Sequence, residues 1–255
     1  MTSEIVTEQS EGILTIKLNR PERKNALNIA MYTALADQLD TAKFTPEVKV
    51  VLLQGTEDCF TSGNDLGDFA NGANLAQEGN PIEKFLLTLA DFPKPVVVAV
   101  TGVAVGIGTT LLMHSDLVYA SPQASFRLPF VNLGLCPEFA SSLMLPRLAG
   151  HAKAAEWLML GEFFSAQEAL EGKLLNAIVE DPIAHAKAQC EKLVKQPPAA
   201  LRNSKALMKS FGDEEVKQAI RDEIKVFGQA LQGPEFAEAV SAFFEKRAAD
   251  FTRFQ

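Results

Sequence analysis

Apolar residues in the first 180 positions recur in short runs that predict β-strands. Ile5-Val6-Thr7 and Ile13 to Leu18 flank Ser10-Glu11-Gly12, and this arrangement predicts an antiparallel hairpin. Val48 to Gln54 predicts a further strand. Pro95 to Val100 is continuously apolar, which predicts a strand buried on both faces.

Helical patterns lie between these strands. Asn28 has the side chain of a helix N-cap, and the residues after it place Met31, Leu35 and Leu39 on one face. Ile107 to His114 predicts a short buried helix, and another strand follows it. Because strands and helices alternate as far as about Val179, the pattern predicts an α/β fold.

Beyond residue 179 the pattern is helical only. Proline and glycine at Pro197-Pro198, Gly212 and Gly233-Pro234 separate the segments. We therefore predict a core over residues 1–195 and a helical C-terminal module over residues 196–255. The predicted helices are Pro182 to Lys195, Ala199 to Ser210, Asp213 to Leu231 and Pro234 to Ala249.

The composition excludes several classes of protein. The 255 residues are 47% hydrophobic and carry a formal net charge of −8, which argues against general affinity for nucleic acid or an anionic membrane. Cys59, Cys136 and Cys190 are odd in number and scattered, so they predict reduced thiols and neither a disulfide framework nor a zinc site. We expect no bound metal.

The two ends of the sequence show no recognisable targeting signal. The first residues lack the basic and apolar regions of a secretory signal, and Arg253-Phe254-Gln255 is not a peroxisomal tripeptide. No apolar run is long enough to span a bilayer. The expectation is a cytoplasmic protein.

A glycine-rich segment, Gly102 to Gly108, follows a predicted strand and opens a predicted helix. Its spacing is wrong for dinucleotide binding, because the third glycine position is occupied by Leu111. No Lys-Ser/Thr pair follows, which excludes a P-loop. Two interpretations remain: tight packing of the turn, or free N–H groups that point at a carbonyl or an anion.

The segment Cys59 to Leu66 also contains small and turn-forming residues. Gly63-Asn64-Asp65 is typical of an ordinary turn. Alternatively, the backbone N–H of Asn64 is a second donor to the same carbonyl oxygen, and Asp65 fixes the loop. Two N–H donors on one oxygen form an oxyanion hole.

Glu138 follows Pro137 and has strongly apolar residues before it. One interpretation places Pro137-Glu138 in the first turn of a helix, with the acid at the positive end of the dipole. The other is a buried carboxylate with a raised pKa that serves as a base. The apolar residues that favour burial are Phe126, Leu128, Phe130, Leu133 and Leu135.

The remaining polar candidates carry less information. Three isolated histidines show no ligand spacing and are interpreted as structural or surface residues, and Ser141-Ser142 lacks the context of a hydrolase nucleophile. The cluster of Arg20, Arg23 and Lys24 is either a solvated face or a grip on a phosphate group. The histidines are His114, His151 and His185.

The ordered set of these segments resembles the crotonase (enoyl-CoA hydratase/isomerase) superfamily. The resemblance implies a spiral of ββα turns, a helical C-terminus that forms trimers, and an acyl-CoA whose thioester lies in an oxyanion hole. Coenzyme A is then part of the substrate, and no separate cofactor is implied. The segments are Asn19-Arg20-Pro21, Asn25-Ala26-Leu27, Phe60 to Leu66, Pro93 to Val97, Gly102 to Asp116, Ser125-Phe126, Leu145-Pro146-Arg147 and Phe244 to Arg247.

Departures from the hydratase pattern indicate the reaction. The two hydratase glutamates correspond here to Thr110 and Phe130, and Glu138 stands where hydratases have glycine. The pattern looks like the peroxisomal type of 3,2-trans-enoyl-CoA isomerase, an enzyme of fatty acid β-oxidation. One base suffices for that reaction.

The resemblance assigns roles by position. Glu138 matches the base, and Asn64 and Ile107 match the oxyanion donors through their N–H groups rather than their side chains. Lys24 and Ala26 match a loop that touches CoA, and Lys246 matches a contact from the C-terminal helix of the same or a neighbouring subunit. The residues that match the loop lining the thioester and adenine pocket are Ser62, Gly63, Asp65 and Leu66.

Two alternatives remain open at this point. One is another crotonase reaction, hydration or thioester hydrolysis, with a different base; the other is a non-catalytic acyl-CoA binder. The length of the acyl chain depends on a segment from about Phe69 to Pro81 that shows no clear pattern. We expect a homotrimer or a dimer of trimers, from the apolar faces of Phe227, Leu231, Phe236, Val240 and Phe243.

Overall fold

A computed structural model describes residues 3–67 and 79–254. Ten strands lie in these ranges and form two sheets. The strands are β1 (Ile5–Ser10), β2 (Ile13–Leu18), β3 (Val50–Gln54), β4 (Cys59–Thr61), β5 (Val96–Val100), β6 (Val103–Val105), β7 (Leu117–Ala120), β8 (Ser125–Arg127), β9 (Phe163–Ser165) and β10 (Ala177–Ile178).

The first sheet has the order β1-β2-β3-β5-β7-β10, and the second has the order β4-β6-β8-β9. The predicted hairpin is confirmed, because β1 and β2 pair antiparallel, with Ser10 opposite Ile13. The other pairs of the first sheet are parallel. The chain alternates between the sheets, since β3, β5 and β7 are each followed by a strand of the second sheet.

Ten α-helices connect and cover the strands of the described ranges. They are α1 (Ile29–Phe44), α2 (Pro81–Ala90), α3 (Ile107–Thr110), α4 (Ser141–Ala149), α5 (His151–Ala155), α6 (Ala166–Glu171), α7 (Pro182–Val194), α8 (Pro198–Lys209), α9 (Asp213–Ala230) and α10 (Pro234–Glu245). Short 3-10 turns lie at Pro21–Arg23, Leu111–His114 and Val131–Leu133, and a π-helical turn lies at Glu156–Leu160.

Both faces of the first sheet are buried, as the continuous apolar strands predict. Val51 and Val98 belong to the main core with residues of α1 and α2. Val50 and Val97, one position away on each strand, face the opposite side and pack with Cys190 of α7. This alternation follows from the two-residue period of a strand.

The predicted helix boundaries hold at the start of α1 and fail at the end of α10. The Asn28 side chain accepts a hydrogen bond from the Met31 N–H, which is the expected N-cap. The last helix ends at Glu245 instead of Ala249, because Lys246 adopts a left-handed conformation with φ of 55°. The reversed chain then places Arg247 on Glu238 within the helix.

The C-terminal helices pack back on the rest of the chain. Phe227, Leu231 and Phe236 belong to the main core, so three of the five residues from which we expected oligomer contacts are covered by their own subunit. Phe243 is exposed, as are residues at the end of α8. The boundary at residue 195 stays a prediction. The exposed residues near the end of α8 are Leu207, Met208 and Phe211.

A buried ion pair also joins this part to the first sheet. Lys205 of α8 lies 2.6 Å from Asp116 and donates to the carbonyl oxygen of Lys94 at 2.8 Å. The same Asp116 carboxylate accepts from the N–H of Val96, the first residue of β5, at 2.7 Å. Helix α8 is therefore fixed to the start of a central strand.

Among the helices of residues 3–67 and 79–254, none has both the length and the apolar character that a membrane crossing needs.

Candidate active site

The ends of three parallel strands bring the candidate residues together. In the second sheet, β4 pairs with β6 and β6 pairs with β8, all parallel, so the segments after these strands leave the sheet at one edge. Gly63 follows β4 and lies against the end of β6: a Cβ at Gly63 would be 2.9 Å from the carbonyl oxygen of Val105. Only glycine fits this contact with φ of +93°.

The first loop carries the backbone N–H group of Asn64, which has no partner among the residues that the structure describes. Leu27 N donates to the Gly63 oxygen at 2.8 Å, and Asp65 N donates to the Leu27 oxygen at 2.9 Å. These two bonds flank Asn64, whose own N–H donates to no atom of the described residues. The pairing also places Ser62 on Lys24, through a 2.9 Å bond from the Ser62 N–H to the Lys24 oxygen.

Asp65 holds this loop in place. Its carboxylate accepts from the Arg20 guanidinium at 2.7 Å and from the Gly67 N–H at 2.9 Å. Arg20 also pairs with Glu4 at 2.9 Å. The Arg20 guanidinium therefore has protein partners, and of the basic cluster only Arg23 and Lys24 are exposed. The hydrogen bonds with Arg20 and Gly67 outweigh the effect of burial and lower the pKa of Asp65.

The second loop leaves another N–H group free at the start of α3. Gly106 has φ of 55°, and its carbonyl oxygen accepts from Thr109 and Thr110. Ile107 is the first residue of the helix, where no earlier turn supplies an acceptor, and its N–H is unpaired within the described ranges. Asn64 and Ile107 thus present free donors from adjacent loops.

Glu138 lies beside these donors. A Cβ on Gly106 would be 4.0 Å from Glu138 Oε1, and that oxygen is buried without a hydrogen bond to any described residue. Burial, and secondarily the charge of Glu223, raise the pKa of Glu138 to about 8. Helix α4 begins only at Ser141, so the interpretation of Glu138 as a residue of a first helical turn is wrong.

The side chain of Asn64 has a role that the sequence did not indicate. Its amide hydrogen-bonds to the Glu138 carboxylate and lowers the pKa of that group, in opposition to burial. The Tyr32 hydroxyl donates to Asn64 Oδ1 at 2.5 Å. Tyr32 is fully buried on α1, and it was not among the site residues predicted from the sequence. It could have been found as a phenol on an apolar helix face, because a buried hydroxyl group needs a hydrogen-bond partner.

The structure brings together most of the predicted site residues. Ser62, Gly63, Asn64, Asp65, Leu66, Lys24 and Ala26 lie on the two paired loops, with Ile107 and Glu138 beside them. Lys246 is exposed at the end of α10, and no described contact joins it to these residues in the same chain. The segment expected to set the depth of the acyl pocket lies largely in residues 68–78, outside the described ranges.

The positions of the two hydratase glutamates hold buried side chains without acidic groups. Thr110 is fully buried, and Phe130 is buried as well. Among the described residues no group of three or more His, Cys, Asp or Glu side chains is arranged to hold a metal ion. The chemistry available is therefore that of one carboxyl group and two backbone donors, a combination that can remove a proton next to a carbonyl and stabilise the enolate.

A separate cavity of about 360 Å³ is lined by residues around Lys43, Lys94 and Arg202 and shares no residue with this site. The Lys94 ammonium group in its wall donates to the carbonyl oxygens of Ala42 and Thr45. The Lys94 ammonium group is therefore hydrogen-bonded to the backbone of its own chain.

Known proteins resemble this chain over nearly its whole length. A family model described as enoyl-CoA hydratase/isomerase matches residues 8–254. Enoyl-CoA delta isomerase 2 of Rattus norvegicus is 32% identical over 250 residues, which cover 95% of this chain and 64% of the relative. The 1,2-epoxyphenylacetyl-CoA isomerase of Escherichia coli K12 is 34% identical, with coverage of 97% and 98%. Crotonyl-CoA hydratase of Syntrophomonas wolfei is 30% identical, with 97% of each chain covered.

Solved structures share the fold. OdaA of Pseudomonas aeruginosa superposes with a TM-score of 0.92 at 46% identity, over 95% of this chain and 99% of that one. An enoyl-CoA hydratase/isomerase of Pseudoalteromonas atlantica T6c superposes with a TM-score of 0.92 at 39% identity, over 98% of this chain and 100% of that one. The predicted α/β fold with a crotonase-like core is confirmed.

Proposed function

The chain belongs to the enoyl-CoA hydratase/isomerase family, and from this premise we propose that it is an enoyl-CoA isomerase of fatty acid β-oxidation. It converts a 3-enoyl-CoA to the trans-2-enoyl-CoA. The observation that carries the proposal is the position of Glu138, a buried carboxyl with one oxygen that has no partner among the described residues. It lies beside two backbone donors that are likewise unpaired within those residues.

The reaction requires one proton to leave and return. Glu138 takes a proton from C2 of the substrate, and the electrons of the C–H bond move toward the thioester oxygen as a dienolate. The protonated Glu138 then delivers the proton to C4, and the double bond lies between C2 and C3. No water, electron or separate cofactor enters the balance.

The backbone donors stabilise the negative charge on the thioester oxygen. The N–H groups of Asn64 and Ile107 are fixed by the loops that carry them, so little reorganisation accompanies charge development. The raised pKa of Glu138 suits a group that must both accept and release a proton near neutral pH. Asn64 adds a side-chain hydrogen bond that favours the ionised form of this base.

The remaining residues of the two loops contact the substrate in this proposal. Ser62, Gly63, Asp65 and Leu66 line the thioester and adenine pocket, and Lys24 with Ala26 contacts CoA. Lys246 contributes from a neighbouring subunit in this proposal, which is supported by its exposure and by the lack of a described hydrogen bond to the loops of its own chain. The rat relative is longer than this chain, so its activity supports the proposal only by analogy.

Hydration is the main competing reaction, since relatives of similar identity are named hydratases. Thr110 and Phe130 provide no second carboxylate to position water, which disfavours it. A second candidate is the isomerisation of 1,2-epoxyphenylacetyl-CoA, because the E. coli relative matches over almost its full length.

Product analysis separates these reactions. The purified protein is incubated with a 3-enoyl-CoA, a 2-enoyl-CoA and 1,2-epoxyphenylacetyl-CoA, and the products are identified by mass and by chromatography. We expect trans-2-enoyl-CoA from the first substrate and little 3-hydroxyacyl-CoA from the second. Hydration as fast as isomerisation would show that the proposed base set is wrong.

We also propose a homotrimer or a dimer of trimers in the cytoplasm. Leu207, Met208 and Phe211 at the end of α8 support self-association, since they expose apolar surface. Sedimentation velocity tests the assembly, and a stable monomer at micromolar concentration would contradict it.

A further inference from the structure

Two residues directly after Glu138 adopt an unfavourable backbone conformation. Phe139 has φ of 58° and Ala140 has φ of 55°, although neither is glycine. A left-handed conformation strains a residue that carries a Cβ atom, and it persists only where surrounding contacts impose it. The turn sets the direction in which the chain presents Glu138.

His114 holds the first residue of this turn. Its Nε2 atom lies 2.8 Å from the carbonyl oxygen of Phe139, and the two rings stack with centroids 3.7 Å apart. Burial lowers the pKa of His114 to about 3, so the ring is neutral at physiological pH. Because a carbonyl oxygen only accepts, the proton of the neutral ring is on Nε2.

Glu223 of helix α9 holds the second residue. One carboxylate oxygen accepts from the Ala140 N–H at 2.5 Å. The other accepts from the Ser142 N–H at 2.9 Å and the Ser142 hydroxyl at 2.5 Å. Burial raises the pKa of the Glu223 carboxyl, and the hydrogen bonds with Ser142 and Ala140 oppose that rise. Since the two N–H groups can only donate and the hydroxyl can donate as well, this set of partners matches an ionised carboxylate.

These bonds also cap helix α4. Ala140 occupies the N-cap position but has no side-chain oxygen to accept from the first N–H groups. Glu223 supplies that oxygen from a helix about 80 residues further along the chain, and its negative charge favours the positive end of α4.

We propose that Glu223 is a positioning residue for Glu138: it fixes the left-handed Phe139–Ala140 turn that follows the base, and it holds a second carboxyl group against the backbone two residues after Glu138. The proposal rests on the proposed function, in which Glu138 moves the proton. His114 supports the same turn from the other side.

Among the described neighbours of Glu138, Glu223 is the charged group that affects its pKa. Tyr32 of α1 and Cys136 of the preceding loop have raised pKa values, chiefly through burial, and are uncharged near neutral pH. His114, in the 3-10 turn after α3, is neutral, and Asn64 carries no charge. After burial, the charge of Glu223 is the largest contribution that raises the pKa of Glu138.

Two variants of Glu223 separate its charge from its geometry. Glu223→Gln removes the charge and leaves one oxygen to accept, whereas Glu223→Asp keeps the charge on a shorter side chain. Glu215→Gln is the matched control, because Glu215 lies on the same helix in an exposed pair with Arg147. Circular dichroism and thermal unfolding establish that each variant is folded.

The kinetic readout is isomerisation of a 3-enoyl-CoA as a function of pH. For Glu223→Gln we expect kcat to fall about tenfold with KM nearly unchanged, and the pKa in the profile to move down by about half a unit or more. For Glu223→Asp we expect a lower kcat and an unmoved pKa. Glu215→Gln should match the wild type in both.

A second readout does not depend on turnover. Infrared difference spectra follow the Glu138 carboxyl band with pH, and Glu138→Gln identifies the band. A Glu223→Gln titration that coincides with the wild type overturns the proposal. A fall in the kcat of Glu223→Gln without a moved pKa in its pH profile overturns it as well. If Glu223→Gln fails to fold, an unchanged kcat in Glu223→Asp overturns the positioning role.

Failure of the proposed isomerase function can be distinguished from failure of the proposal about Glu223. A wild-type protein that does not isomerise 3-enoyl-CoA removes that function. The infrared titration then still decides whether Glu223 controls ionisation of Glu138.

Discussion

The Tyr32 hydroxyl donates a hydrogen bond to Asn64 Oδ1 at 2.5 Å, and this bond determines which end of the Asn64 amide faces Glu138. With the oxygen engaged by Tyr32, the NH₂ group faces the carboxylate, which can only accept when ionised. One buried phenol therefore orients the neighbour of the proposed base without touching that base.

Replacement of Tyr32 by phenylalanine tests this relationship. The ring keeps its edge contact with Phe85, while the amide of Asn64 loses its orientation. We expect kcat to fall about tenfold and KM to change little, because the loss affects the base more than substrate binding. Steady-state kinetics measure both, with Tyr119→Phe, a change at the other tyrosine, as control. An unchanged kcat in Tyr32→Phe contradicts the orienting role.

Replacement of Glu138 by glutamine removes the proposed base and keeps its volume. We expect turnover to fall at least about a hundredfold while acyl-CoA binding stays largely intact. Rapid-quench kinetics and calorimetric titration with a saturated acyl-CoA measure the two effects separately. A wild-type rate constant in this variant would place the base elsewhere.

The raised pKa of Glu138 makes the reaction depend on pH. The base acts in its ionised form, and burial raises its pKa to about 8, so kcat/KM is expected to rise with pH and to level off above that value. The pH profile of the wild type measures this. A profile that is flat from pH 6 to pH 9 is incompatible with Glu138 as a buried base.

The raised pKa of Glu138 also makes the stability of the folded protein depend on pH. The pKa of Glu138 is about 8 in the folded protein against 4.5 for an ordinary glutamate, so the folded state binds the proton more tightly. Between these values the folded state loses stability as pH rises. Glu138→Gln does not ionise, and its gain in Tm over wild type is expected to grow from pH 5 to pH 8. Thermal unfolding across this range checks it; exposed Glu215→Gln should show no such growth.

The buried pair of Lys205 and Asp116 makes a prediction about the anchoring of α8. Lys205→Met leaves the Asp116 carboxylate without its cation, and we expect the free energy of unfolding to fall by roughly 3 kcal/mol. Lys84→Met removes an exposed lysine that pairs with Asp37, and we expect a much smaller loss because solvent screens an exposed pair. Urea unfolding compares them; equal losses contradict the structural role of the buried pair.

Local patterns were sufficient to predict much of the fold. The alternation in β1 and β2, the continuous apolar run of β5 and the cap at Asn28 are local signals, and the structure confirms them. The small residues around Gly63 and Gly106 also indicated both donor loops. Glycine is the residue that a left-handed or tightly packed backbone position requires, so its presence in the sequence is itself a local signal.

Contacts between distant parts of the chain were not predictable in this way. Neither Phe139 nor Ala140 is a residue that favours a left-handed turn, so that turn depends on Glu223 and His114. The end of α10 at Glu245 has a more local origin, since Lys246 is left-handed and Arg247 returns to Glu238 of the same helix. The Phe139–Ala140 turn depends on which elements meet in the fold, and the spacing of apolar residues along a helix does not specify which neighbour the helix contacts.

The parallel edge of the second sheet has a consequence for which parts of the proposed site can change independently. The two proposed oxyanion donors belong to the main chain, so their chemistry survives many substitutions at Asn64 and Ile107. The acidic side chain arrives on a separate loop after β8. In the proposed function, the position of the carboxylate and the positions of the two donors are therefore set by different segments of the chain. Moving one carboxyl group to another loop would change which atom of the substrate exchanges a proton, while the two donors to the thioester oxygen stay where they are.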